Sequence, residues 1–88
     1  MTKNEYNDLH ESLSYGHDAE ILIDGIHYFV EWNDEAIDVY KLNVNTGEKI
    51  TSIAGSNNFE TVNLLFAMLI NGKSLNDHYP DIQVVDIE

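Results

Sequence analysis

Four histidines, sixteen carboxylates and no cysteine define the chemistry open to this chain of 88 residues. His27 and Glu31 come nearest to a ligand or acid–base pair. They sit in an alternating run, Ile21 to Trp32, that reads as extended chain, and four residues of strand set them about 13 Å apart. One metal ion, which holds its ligands at about 2.0 to 2.2 Å, cannot bridge that gap. His17-Asp18 follows a glycine placed to end a helix, and His10 and His78 belong to other elements, so no two histidines show a ligand spacing. Surface or half-buried histidine is the expectation, with neither metal nor cofactor. Nucleophilic catalysis has little to work with, since cysteine is absent and no Gly-x-Ser-x-Gly occurs. No acid–base pair stands out among sixteen carboxylates, because charged positions mostly mark solvated faces. There is no glycine-rich phosphate loop. These residues predict a protein that is not an enzyme.

The charge balance narrows the partners. Four lysines and no arginine stand against the sixteen carboxylates, for a net charge of -12. Nucleic-acid affinity rests on neutralising phosphates with Lys and Arg, so direct binding to nucleic acid is not expected. The imbalance fits either plain solvation of the surface or an acidic face built for a basic partner. At 43% hydrophobic residues the chain can fold, and its length suits one small domain spanning residues 1–88. The longest apolar run, Leu64 to Ile70, is far too short to span a bilayer, and the opening residues lack the apolar core of a signal peptide. With no cysteine to suggest an oxidising compartment, a soluble cytoplasmic protein is expected.

The elements that position these residues can be read in turn. Thr2-Lys3-Asn4-Glu5 has the spacing of a capping box, Tyr6, Leu9 and Leu13 then form an apolar stripe, and Gly16 is placed to end the helix. Asp24-Gly25 between two alternating runs predicts a type I′ hairpin. In that register Ala19, Ile21, Ile23, Ile26, Tyr28, Val30 and Trp32 share the core face, while Glu20, Leu22, His27, Phe29 and Glu31 share the other. A third strand, about Ile37 to Val44, follows the short link Asn33 to Ala36. Asn45-Thr46-Gly47 then turns the chain into a fourth, about Glu48 to Ile53, making an antiparallel meander. Asn57 or Ser56 caps a second helix, from Phe59 to about Ile70, whose stripe of Phe59, Val62, Leu65, Phe66, Leu69 and Ile70 should lie on the sheet. Ser74-x-x-Asp77 caps one further turn, Pro80 stops it, and Ile82 to Ile87 is a last strand. The expected fold is α+β, a mainly antiparallel sheet of four to five strands with two helices, in the order α-β-β-β-β-α-β.

Ser14-Tyr15-Gly16-His17-Asp18-Ala19-Glu20-Ile21 and the hairpin around Asp24-Gly25 and Tyr28 form one recognisable stretch. Phe59-Glu60-Thr61-Val62-Asn63-Leu64-Leu65, Asn71-Gly72-Lys73-Ser74-Leu75 and Asp81-Ile82-Gln83-Val84-Val85 form others. On these the chain resembles a set of small proteins of Gram-positive bacteria and their phages. The resemblance implies a bacterial or phage origin and brings no activity with it.

Two surfaces are candidates for contact. On the helical wheel Leu64 and Met68 point away from the core stripe, beside Ala67 and on the side of Glu60. That outer strip suits a homodimer or a partner protein. On the outer sheet face Leu22, His27 and Phe29 cluster between Glu20 and Glu31, a second patch unless helix 1 covers it. The reading that follows is a non-enzymatic protein–protein interaction module with an unknown partner, for which the charge balance suits a basic one. The alternative is an acidic inhibitor that imitates nucleic acid and blocks a partner's basic groove.

Overall fold

The computed structural model describes residues 2–42, 47–70 and 72–88. Its first helix, α1 (Lys3–Ser14), begins as the capping box requires: Glu5 N donates to Thr2 Oγ1 at 3.2 Å and Thr2 N donates to Glu5 Oε1 at 3.0 Å. It ends in a Schellman motif. Gly16, at φ 95°, donates to the Leu13 carbonyl, and His17 N donates to that of Ser12. Tyr6, Leu9 and Leu13 are buried, as their spacing predicts.

The strands β1 (Ala19–Ile23) and β2 (Ile26–Asn33) meet at Asp24-Gly25, where both φ angles are positive, at 52° and 77°. That is the type I′ geometry, and it sets Ile21 opposite Tyr28 and Ile23 opposite Ile26. A second two-residue turn, with Asp34 at φ 57°, leads into β3 (Ala36–Leu42), which pairs antiparallel with β4 (Gly47–Ile53). The expected turn at Asn45-Thr46 falls outside the described residues.

After Gly55 the chain enters α2 (Asn58–Ala67), with Asn57 as its cap and Glu60 N donating to Asn57 Oδ1 at 2.8 Å. A short hairpin follows, β5 (Leu69–Ile70) with β6 (Lys73–Ser74), then a single turn α3 (Leu75–His78), a 3-10 turn (Tyr79–Asp81) and β7 (Gln83–Ile87). As predicted, Ser74 caps α3, its hydroxyl accepting from Asp77 N.

The fold is α+β, and its main sheet is antiparallel with strand order β4-β3-β2-β1-β7. The last strand returns to pair with β1, so the hairpin read from residues 21 to 32 lies at the centre. One core holds Tyr6, Leu9 and Leu13 of α1, Val62, Leu65 and Phe66 of α2, Leu75, Ile82 and the inward residues of β1, β2 and β3. Both long helices thus cover the same sheet face. Trp32 fastens α1 to it, its indole Nε1 donating to the Leu13 carbonyl at 2.8 Å.

Three expectations for α2 need correction. The helix stops at Ala67, and Leu69–Ile70 is extended chain paired with Lys73–Ser74 rather than a last helical turn. Met68, expected on the helix's outer strip, is its extended C-cap and packs partly against the core. Phe59, expected inside, is 61% exposed; it lies in the first turn, where its ring meets that of His10 at 5.5 Å. Its place in the core goes to Thr61, fully buried, whose hydroxyl donates to Asn57 O and accepts from Gly55 N, both at 2.8 Å. Gly55 is fixed by the same contact, since a Cβ there would lie 2.8 Å from Thr61 N.

Candidate interaction surface

The helices leave the other sheet face uncovered among the described residues, and strand register maps its side chains into rows. Crossing the sheet from β7 to β4, one row reads Gln83, Leu22, His27, Leu42 and Gly47. The next reads Asp86, Glu20, Phe29, Tyr40 and Lys49. A third, from β2 to β4, holds Glu31, Asp38 and Ser52. Leu22 on β1, Phe29 on β2, and Tyr40 and Leu42 on β3 therefore form an apolar block over three neighbouring strands, with His27 between the two leucines, and each of the four is half-buried. Gly47 offers no side chain beside this block, and Leu42 Cδ2 lies 3.5 Å from where its Cβ would stand.

Charged groups frame the block. His27 Nδ1 lies 2.7 Å from Glu20 Oε2, so this histidine is engaged with a carboxylate on the neighbouring strand and not with Glu31. Asp38 is hidden, its side chain 4% exposed, yet it is shallow, screened by the side chains around it and not by depth in the core. Its carboxyl is held below the usual Asp range, chiefly by a hydrogen bond from Ser52, with Asn33 and the Lys49 ammonium adding to the effect and burial opposing it. Asn33 Nδ2 donates to Oδ2 at 3.3 Å; Oδ1 makes no hydrogen bond and has Lys49 Nζ at 3.4 Å. Among the described residues, Glu31, directly opposite Asp38, has no ion pair or side-chain hydrogen bond, and neither does Asp86.

The second strip of the sequence reading comes apart. Glu60, Leu64 and Ala67 are exposed on α2, Leu64 by 44%, but Met68 has turned toward the core, so no continuous apolar ridge remains. The sheet patch of Leu22, His27 and Phe29, by contrast, is brought together and extended by Tyr40 and Leu42. Those two were missed in the sequence because their register depends on the turn at Asp34-Glu35; the alternation Asp38, Tyr40, Leu42 was the available signal.

A cleft of about 430 Å³ also runs between α1 and β7, lined by Glu5, Pro80, Asp81, Ile82, Gln83 and Val84. Beside it a hollow of about 170 Å³ shares Glu5 and Val84 and adds Asp8 and Ile87. Glu5 makes a poor general acid as arranged. Glu5 is committed to the capping box, and the Thr2 backbone N–H and hydroxyl hold its carboxyl below the usual range, the opposite of the raised value a general acid needs at neutral pH. Among the described residues, no group of three His, Asp or Glu is placed to hold a metal ion, and no helix is long and apolar enough to cross a membrane.

Comparison of the chain with protein-family models, with curated proteins and with solved structures finds no match.

Proposed function

We propose that this protein is a non-catalytic protein–protein interaction module that presents its open sheet face to a partner. The observation behind this reading is the block Leu22, Phe29, Tyr40 and Leu42, held on a four-strand antiparallel meander with both long helices packed on the opposite side. An antiparallel sheet tolerates water on one face when that face is polar; an aromatic and aliphatic centre with a charged rim is the composition of a contact surface. The two edges of the sheet are less suited to docking. Each edge strand has a one-residue bulge, at Ile50 in β4 and at Val85 in β7, a device that interrupts pairing with another chain.

A pull-down from a bacterial lysate, with the wild type and the double variant Phe29→Ser/Tyr40→Ser compared, tests this. The expected result is a specific partner that the double variant loses while its thermal melt stays cooperative. Retention of that partner by the double variant, with loss by Leu64→Asp, would move the contact to α2.

The second reading, an acidic inhibitor that imitates nucleic acid, is favoured by Glu5, Asp8 and Asp81 lining one seam. Salt separates the two. A complex built on rows of carboxylates weakens steeply between about 0.05 and 0.5 M salt, whereas one built on an apolar block with a few rim charges weakens modestly.

A further inference from the structure

We infer that the occupant of the open sheet face is an arginine-bearing segment of a partner protein, with a guanidinium seated on Glu31 and lying over the rings of Phe29 and Tyr40. The inference rests on the reading of that face as the contact surface. Its starting point is a count of charge on the face itself. Four carboxylates, Glu20, Glu31, Asp38 and Asp86, share it with one ammonium, Lys49, and one histidine, His27. Lys49 is taken by Asp38 and His27 by Glu20. Among the described residues this leaves Glu31 and Asp86 without an ion pair or side-chain hydrogen bond; Asp86 is on the edge strand, whereas Glu31 is on the central strand β2, one step along from Phe29 and directly across from Asp38.

Like charges placed directly opposite each other on neighbouring strands destabilise a sheet. The Asp38 carboxyl is held in its ionised form by Ser52, Asn33 and Lys49, so it does not relieve the conflict by taking up a proton. Lys49 answers the Asp38 charge from the β4 side, and the charge left for an incoming cation to answer at this half-apolar site is that of Glu31.

Arginine fits the site better than lysine. Its planar guanidinium can fork onto a carboxylate while its face stacks on an aromatic ring, and Glu31, Phe29 and Tyr40 offer both partners within neighbouring rows. A second copy of this chain does not supply that group. The sequence contains no arginine, and the copy's own face has the same excess of carboxylates.

The test uses the full-length ¹⁵N-labelled protein titrated with an alternating leucine–arginine hexapeptide, and with the same peptide in which citrulline, the uncharged isostere, replaces arginine. The arginine peptide is expected to shift amide resonances of residues 20–22, 27–31 and 38–42. Glu31→Gln should weaken it about tenfold, as should the citrulline replacement, the usual scale for losing a charge-assisted hydrogen bond. Glu31→Gln should melt at or above the wild-type temperature, since it removes the opposed charge; a merely structural Glu31 would melt lower. If both peptides bind the face equally and Glu31→Gln changes neither, the face stands as a contact surface and the arginine occupant is wrong. If neither peptide shifts these residues, or the shifts fall on α2 or the α1–β7 seam and Phe29→Ser is without effect, the occupant and the face both fail.

Discussion

Asp38 shows how one side chain links this fold to pH. Its folded carboxyl titrates below the ordinary Asp value of about 3.9, so between the two values the unfolded chain binds the proton and the folded one does not. The stability it contributes is present in full above about pH 5 and is lost as pH falls through the lowered folded value. Urea midpoints followed from pH 6 down to pH 2 are therefore expected to fall less steeply in Asp38→Asn than in the wild type. Glu5, lowered by its capping hydrogen bonds, contributes with the same sign and keeps the variant's slope from vanishing. Equal slopes would mean that the Ser52, Asn33 and Lys49 contacts do not hold the ionised form. His27 and Glu31 began as the residues nearest to a chemical pair. The strand separates them, as a spacing of about 13 Å implied, and each acquires a different role: His27 is engaged by Glu20, and Glu31 has no ion pair among the described residues.

Among the elements, those written in local signals were legible. Asp24-Gly25 specifies positive φ at two successive residues, and only one register then follows; the capping box of α1 and the Ser74 cap of α3 act equally locally. The end of α2 was misread for a definite reason. Leu69 and Ile70 continue the apolar period of Leu65 and Phe66, and periodicity over two residues does not separate a last helical turn from a short strand. Phe59 was misplaced because a wheel takes no account of the neighbouring helix, whose His10 meets the Phe59 ring at 5.5 Å and Asn63 Oδ1 at 2.8 Å. The contact between Gly55 and Thr61, and the rows on the outer face, exist only once the chain has folded. The interior half of the α2 stripe held. Leu65→Ala or Phe66→Ala is expected to cost about 2 to 5 kcal/mol, and Leu64→Ala less than about 0.5 kcal/mol, in denaturant melts. The reverse order would put the helix in the wrong rotational phase.

At the scale of the whole molecule the net charge of -12 acts on both stability and binding. Self-repulsion among the carboxylates is screened by salt, so the isolated protein is expected to melt higher in about 0.3 M than in about 0.01 M salt. Identical melting temperatures would mean that the charges are already too dispersed to repel. The architecture concentrates what remains for recognition. Both long helices are spent on one face of the sheet, each edge is bulged, and the other face is left with two aromatic rings, two leucines and two carboxylates, Glu31 and Asp86, that have no ion pair among the described residues. That the sheet's open side is where another protein sits is tested most directly by hydroxyl-radical footprinting of the free protein and of the complex recovered from lysate, reading the oxidation of each aromatic residue. Protection of Phe29 and Tyr40, with Tyr15 and Phe59 oxidised as in the free state, is the expected result. Protection of Phe59 and Tyr15, with Phe29 and Tyr40 unchanged, would contradict it.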